Sequence, residues 1–479
     1  MKILIISPHT GPSVADNFYM APALGPLRLA HFLNSRGHQA DYYDPNFFDV
    51  LKKGPNLRDK LLSEEWDLIG FSVLDETLEN DIQNMYIAQS ICPSSTLIAG
   101  GIEAQFNYQN ILDKTPCRIV VIGEGEIPLL MLADGKPLQE IPGIVFRNNS
   151  LPSTKELMDE ALESIRWDSV SFEDYWSHYA AKYSSVDDSL EKTIYTVRVS
   201  FRNRCPIACK YCSSTNQVPL ATKTKAPVVA ASEDIMAATV DKIVRTHPKV
   251  RTIYITDDDF CINRLSVIRF CQRIVERKYE KLSFLCFARV TDLDRDMLEW
   301  MSKAGFRQLN VGVESFSQNV LDEVGKQCTV QDIHRRLPLA KEYGVKIYFN
   351  VILTTPHSQL EDVERTVKEA LKYISDPCYS VGVVPAIRPY KGSEFAETCS
   401  HYISKVVPID GTAYHLRRDS VILAEDKRVR ELQFRFLETV DKVVDEELHQ
   451  KNLFHKNSVN VGRVKLEYML KLINEVKSS

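Results

Sequence analysis

The sequence predicts an α/β protein: an N-terminal doubly wound parallel sheet, then a six-unit partial β/α barrel, then a small helical C-terminal region. Three observations predict it. Short apolar strands alternate with amphipathic stretches over residues 1–148, the alternation lapses over 149–192, and it resumes as strand–helix repeats over 193–395. Such alternation argues for parallel strands with helices on the sheet faces. At 479 residues the chain is also too long for one typical core.

In the first region the strands read as KILII, DLIGFSV, TLIAGG and RIVVIGE, and the helical stretches as ALGPLRLAHFLNSRGH, DIQNMYIAQSI and IPLLML. The strand ends are polar or glycine-rich, at Ser72, Gly100, Gly101, Gly123, Glu124 and Gly125. Doubly wound sheets take their ligands at those carboxyl ends. Residues 149–192, including SFEDYWSHYAAKYSSVDDS, read as a linker lying over a surface. The barrel strands are TIYTVRVS, RTIYIT, LSFLCFA, FRQLNVGV, VKIYFNVIL and YSVGVVP, joined by right-handed crossovers, with the chemistry at their carboxyl ends. Residues 396–479 are expected to be mostly helical, with an amphipathic run from Lys427 to Gln450, and to form a cap.

Composition narrows the function. The formal net charge is −5 and the basic residues are dispersed, which gives no footprint for a phosphate backbone, so no nucleic-acid partner is expected. No window approaches the roughly 18 apolar residues of a membrane span, and no membrane association is expected. The opening MKILIISPHTGP is too brief for a secretory segment and reads as a buried strand. The 11 cysteines lack paired regularity and are expected to be thiols or metal ligands in a cytoplasmic protein.

Directly after the first barrel strand, RNRCPIACKYCSS places Cys205, Cys209 and Cys212 in a C-x3-C-x2-C spacing. Three thiolates from one loop suit a cubic iron–sulfur cluster with one iron left open to a small chelating ligand. Structural zinc or plain buried thiols are the alternatives, but zinc asks for a fourth ligand, and the closest downstream histidine is His247. The triplet resembles the signature of the radical S-adenosylmethionine superfamily, in which an aromatic residue precedes the third cysteine, here Tyr211. The resemblance covers about residues 193–395 and implies a 4Fe–4S cluster on the three cysteines with S-adenosylmethionine on the open iron. It also implies that Asp257 or Asp258 of ITDDDF helps hold the amino group, and that Arg289 of FARVTD and Glu314 of NVGVES line the cofactor site. VPAIRPYKGSEF resembles the segment that closes the sixth strand, whereas LTTPHSQLED departs from the glycine-rich run that follows the fifth strand in many relatives. A solvated or salt-bridged acidic run is the alternative for Asp257, Asp258 and Asp259.

The first region resembles the cobalamin-binding domain that precedes the barrel in one branch of this superfamily, through APALGPLRLAHFLNSRGH, IAGGIEAQF and VVIGEGEIPLL. The resemblance implies cobalamin contacts at Leu24, Ser72, Gly100, Gly101, Glu103, Gly123, Glu124 and Gly125. Glycine there lets backbone approach a broad, flat cofactor, although glycines also end strands and cap helices without any ligand. The D-x-H-x-x-G run that supplies a cobalt-ligating histidine elsewhere is missing. Asp332-Ile333-His334 lacks the glycine and lies in the barrel, so cobalamin is expected with its own base displaced. His9, at the end of the first strand, is either an exception or a structural histidine.

The resemblance implies an enzyme that methylates an unactivated carbon of a small-molecule or peptide substrate through a deoxyadenosyl radical, fed by a flavodoxin-like or ferredoxin-like reductant. Oxidation, cyclisation or ring rearrangement with the same cofactors is the second expectation. An iron–sulfur redox sensor or electron carrier is the third. No catalytic side chain is assigned. Cys328 and Cys378 lie in polar stretches near a ligand or are small buried hydrophobes, and Cys261, Cys271 and Cys286 lack ligand spacing.

Overall fold

The computed structural model describes residues 1–10, 21–146, 149–150, 157–181, 188–212, 214, 227–390, 392–400, 402–409, 412–450 and 458–478. Two compact units emerge. The first comprises Met1–Pro206, Ser213–Tyr254 and Val406–Arg418, and the second Ile207–Cys212, Ile255–Lys405 and Asp419–Ser479.

The first unit holds a sheet of β1 (Lys2–Ile6), β2 (Gln39–Tyr43), β3 (Leu68–Ser72), β4 (Thr96–Gly100), β5 (Ile119–Val121), β6 (Ile144–Phe146) and β7 (Asn149–Ser150). The order is β2-β1-β3-β4-β5-β6-β7. The strands through β5 pair in parallel, and β6 and β7 add an antiparallel edge that the sequence reading lacks. These edge strands are too short for alternation to reveal them. Both faces of β1 are buried: Leu4 and Ile6 join the core with the helix Leu78–Ile91, and Ile3 and Ile5 join the core with the helices Leu24–Ser35 and Glu126–Ala133. That is why KILII is continuously apolar. Strand order reverses direction between β1 and β3, which opens a crevice at their carboxyl ends.

Residues 149–192 hold more regular structure than a linker requires, with helices at Met158–Glu163, Phe172–Ala180 and Asp188–Ile194. Phe172, Tyr175, Trp176 and Tyr179 are buried and recur at helical spacing, a signal present in the sequence.

The second sheet contains β8 (Thr196–Val199), β9 (Thr252–Ile255), β10 (Ser283–Arg289), β11 (Phe306–Glu314), β12 (Lys346–Thr354) and β13 (Tyr379–Ala386), in the order β13-β12-β11-β10-β9-β8. Sequential neighbours with parallel pairing from β10 to β13 give the partial barrel expected. Its register sets Arg289, Gly312, Asn350 and Gly382 in one row across four strands. The register then shifts between Gly312 and Glu314, and Glu314 takes a left-handed backbone conformation with φ of 66°. A non-glycine residue there is strained, and such strain collects at functional sites.

After the barrel the chain is not wholly helical. A ribbon of β14 (Tyr402–Ile409) and β15 (Thr412–Ile422) precedes the long helices Lys427–Gln450 and Ser458–Ser478. Asp410-Gly411 stands between two runs of alternating pattern, a strong two-residue hairpin signal, although these two residues lie outside the described ones. Gly462 lets the last helix approach β13, because a Cβ there would collide with the Val381 carbonyl and lie 2.7 Å from its Cγ1.

Candidate active site

Cys205 follows β8 in the first unit, and Cys209 and Cys212 belong to the second. None of the three is in a disulfide; Cys209 is buried and the other two are half-buried. The Cys212 N–H donates to the Cys209 carbonyl at 3.1 Å. Lys210 anchors this turn twice: its N–H donates to Val324 O at 3.0 Å, and its carbonyl accepts from Phe395 N–H at 3.2 Å. Burial pushes the Cys209 thiol above its ordinary pKa, while the cations of Lys326 and Arg289 pull it down. Among the described residues no group of three or more His, Cys, Asp or Glu side chains stands gathered for a metal ion. His247 is buried, its Nε2 donating to the Trp167 carbonyl at 2.9 Å and its ring packing edge-on against Phe172.

The strand ends of the second unit surround this turn with charge. Tyr211 donates its hydroxyl to Glu314 Oε1 at 2.8 Å, and Lys326 Nζ donates to the same oxygen at 2.7 Å. Both Lys326 and Glu314 are almost fully buried. Burial lowers the Lys326 pKa, and Glu314 together with the Cys209 and Cys328 thiols outweighs it, leaving a net upward shift. Gly312 makes room for the pair: a Cβ there would stand 2.5 Å from Glu314 Oε1 and 2.6 Å from Lys326 Nζ. Arg289 donates through Nη2 to the Lys326 carbonyl at 3.3 Å, and its Nε is buried without a partner.

The acidic run after β9 divides. Asp257 is buried, Asp258 is exposed as a solvated carboxylate would be, and Asp259 is 0% exposed. The Asp259 carboxyl meets that of Asp292, to which it hydrogen-bonds when protonated. Burial first, and then the neighbouring Asp292 carboxyl, push Asp259 up to about 8, so it is largely protonated at neutral pH.

In the first unit Ser72, Gly100 and Gly101 end β3 and β4, and Gly123, Glu124 and Gly125 follow β5. Gly101, with φ of 90°, is required by the backbone itself, because a Cβ would lie 2.7 Å from Val73 O. Gly125 packs under Leu29, and Gly123 N–H donates to Gln105 Oε1 at 3.1 Å. Glu103 is buried and accepts from Asn107. Leu24 begins the helix Leu24–Ser35, and it lines with Glu124 a cavity of about 210 Å³. Glu124 accepts two hydrogen bonds from Arg204, at 2.6 and 2.7 Å. Both ring nitrogens of His9 are engaged, Nε2 with Asp49 at 2.5 Å and Nδ1 with Asn84 at 3.2 Å, which is a structural role.

Of the remaining cysteines, Cys261 and Cys286 bring their sulfurs to 4.0 Å in the core, Cys328 is buried, and Cys378 is half-buried. Lys326, Asp259 and Arg204 went unassigned in the sequence. Asp259 was inside the acidic run and Arg204 adjoined the first cysteine, but nothing in the spacing pointed to Lys326.

A family model of the radical SAM superfamily matches residues 199–401, and one of the B12 binding domain matches residues 16–133. The chain carries a radical SAM domain and a B12-binding domain. A radical SAM domain implies a 4Fe–4S cluster and S-adenosylmethionine, and a B12-binding domain implies cobalamin. The buried donors without partners on Arg289 and Arg204 fit such cofactors, which carry acceptors to meet them. The chain is 24% identical over 397 residues to the anaerobic magnesium-protoporphyrin IX monomethyl ester cyclase of Rubrivivax gelatinosus, covering 78% of this chain and 66% of that one. It therefore spans just under two thirds of that relative. An uncharacterised methyltransferase of Pyrococcus horikoshii is 24% identical over 406 residues, with 83% of each chain covered. Among solved structures, the cobalamin-dependent S-adenosylmethionine radical enzyme OxsB aligns with a TM-score of 0.70 at 13% identity, over 99% of this chain and 78% of that one. The radical S-adenosylmethionine methyltransferase TsrM from Kitasatospora setae aligns at 0.65 and 16% identity, over 84% of this chain and 78% of that one. Both share the fold of this chain. No helix among the described residues is long and apolar enough to cross a membrane.

Proposed function

We propose that this cobalamin-dependent radical SAM enzyme methylates an unactivated carbon of a small-molecule or peptide substrate. The observation that carries the reading is the buried Tyr211–Glu314–Lys326 cluster beside the Cys209–Cys212 turn, on a chain that also holds a B12-binding domain. When bound, the cluster and cobalamin supply an electron for cleaving the sulfonium carbon–sulfur bond and a carrier for the methyl group. Cys205, Cys209 and Cys212 would hold the cluster. Glu314 fixes Tyr211, and through it the backbone of the cysteine turn. Arg289 and the carboxyl group of Asp257 or Asp258 would orient the amino acid end of S-adenosylmethionine. Leu24, Ser72, Gly100, Gly101, Glu103, Gly123, Glu124 and Gly125 would form or support the cobalamin edge. A small flavodoxin-like or ferredoxin-like protein would deliver the electron.

The extent of the match to the Pyrococcus methyltransferase supports methylation. The similarity to the cyclase supports a second reading, oxidation or cyclisation with the same cofactors. Anaerobic incubation of the reconstituted chain with S-adenosylmethionine, cobalamin and reductant separates the two. Methylation predicts S-adenosylhomocysteine beside deoxyadenosine; deoxyadenosine alone would favour the cyclase-like reading.

A further inference from the structure

Arg204 stands directly before Cys205 and is only 3% exposed. Its Nη2 donates to both oxygens of Glu124, while Nε and Nη1 are buried without a hydrogen-bond partner. The backbone on either side is fixed. Asn203 donates from its side chain to Pro227 O at 3.0 Å and accepts from Val229 N–H at 2.9 Å, and Cys205 N–H donates to Ser214 Oγ at 3.2 Å. The guanidinium therefore has little freedom to turn toward water. Donors left unmet out of water destabilise the folded chain until an acceptor reaches them.

The charge of the pair selects that acceptor. Glu124 already balances the guanidinium, so a second anion would leave net negative charge in a buried place, whereas an amide carbonyl completes the donors at no such cost. Glu124 and Asn203, the ion-pair partner and the chain neighbour of Arg204, line a cavity of about 210 Å³ with Leu24, Gly25, Arg28 and Trp167, among others; Arg204 itself is not in its wall. That volume is several times the roughly 30 Å³ share of one water molecule. It suits a short side arm ending in an amide and is too small for a macrocycle. A corrin ring carries such amide arms around its rim.

We propose that Arg204 receives an amide side arm of the corrin rim, with Glu124 holding the guanidinium and the cavity taking the arm. The proposal rests on the cobalamin reading above. It makes one side chain join the corrin to the loop of the first cysteine, and Arg204 a binding residue.

The test is an anaerobic titration of the reconstituted full chain with hydroxocobalamin and, separately, with diaquocobinamide, which keeps the rim amides and lacks the nucleotide tail. Corrin absorbance reports binding. R204K keeps a cation against Glu124 and gives up the planar donors; R204M removes both. The expected result is weakening of about tenfold or more for both corrins in each variant, with circular dichroism unchanged in R204K. Weakening confined to hydroxocobalamin would place the contact on the tail phosphodiester and overturn the amide assignment. Unchanged affinity for both corrins in R204K and R204M would overturn the proposal outright. If the unaltered chain bound neither corrin, the cobalamin reading itself would fall, a result distinct from a variant that binds as the parent does.

Discussion

Lys326 is an ammonium held almost out of water by one carboxylate, and its value to the site lies in what its removal would expose. Lys326→Met leaves Glu314 buried, with only the Tyr211 hydroxyl still facing Oε1. The expected loss is about 3–5 kcal/mol, read as a lower denaturant midpoint, and replacing Glu314 by Gln as well should recover part of it. A single variant as stable as the parent would mean the pair is not load-sharing. Asp259 makes the opposite kind of prediction. Its folded pKa of about 8 lies above the unfolded value of roughly 3.9, so the native state binds more protons between those limits and stability falls as pH rises through that window. Asp259→Asn removes the slope. The stability gap in favour of the variant should therefore widen between pH 5 and pH 8, by up to about 1.4 kcal/mol per pH unit, and level off above; a gap independent of pH would contradict the assignment. Neither residue was assigned from the sequence. The cysteines, Tyr211, Arg289 and Glu314 were marked by spacing and strand-end position, whereas Lys326 reaches the site through a tertiary ion pair that no local pattern encodes.

At the scale of elements, glycines divide into those that the backbone requires and those that it does not. Gly101→Ala forces a side chain onto φ of 90° and against the Val73 backbone, while at Gly100 the nearest atom is Val121 Cβ at 3.6 Å. In cobalamin-free protein Gly101→Ala should cost more than about 1 kcal/mol and Gly100→Ala well under that, measured by thermal unfolding. Equal costs would remove the structural account of Gly101. Gly312→Ala should displace the Glu314–Lys326 pair and weaken S-adenosylmethionine binding in an equilibrium dialysis of the reconstituted chain; unchanged affinity would show that the pair does not shape that site. The long parallel strands were legible because each is a run of apolar residues bounded by turn signals. The edge strands β6 and β7 were too short to show a period. The ribbon of β14 and β15 and the helix Phe172–Ala180 did leave signals, Asp410-Gly411 and the aromatic spacing, which a reading by composition passed over.

Across the whole molecule, two sheets of different topology each carry candidate site residues at their strand ends. The order β2-β1-β3 creates a crevice in the first sheet, and sequential order from β8 to β13 places successive strand ends along one edge of the second. That arrangement explains how chemistry spread over more than 100 residues, from Cys205 to Glu314, follows from one repeated unit. The central claim is that three cysteines hold a 4Fe–4S cluster with one iron open to S-adenosylmethionine. The direct test is electron paramagnetic resonance of the reduced, anaerobically reconstituted chain before and after S-adenosylmethionine is added. A cluster signal that changes on addition, and is lost in Cys209→Ala, is the predicted result; a signal indifferent to S-adenosylmethionine, or zinc in place of iron, would contradict it.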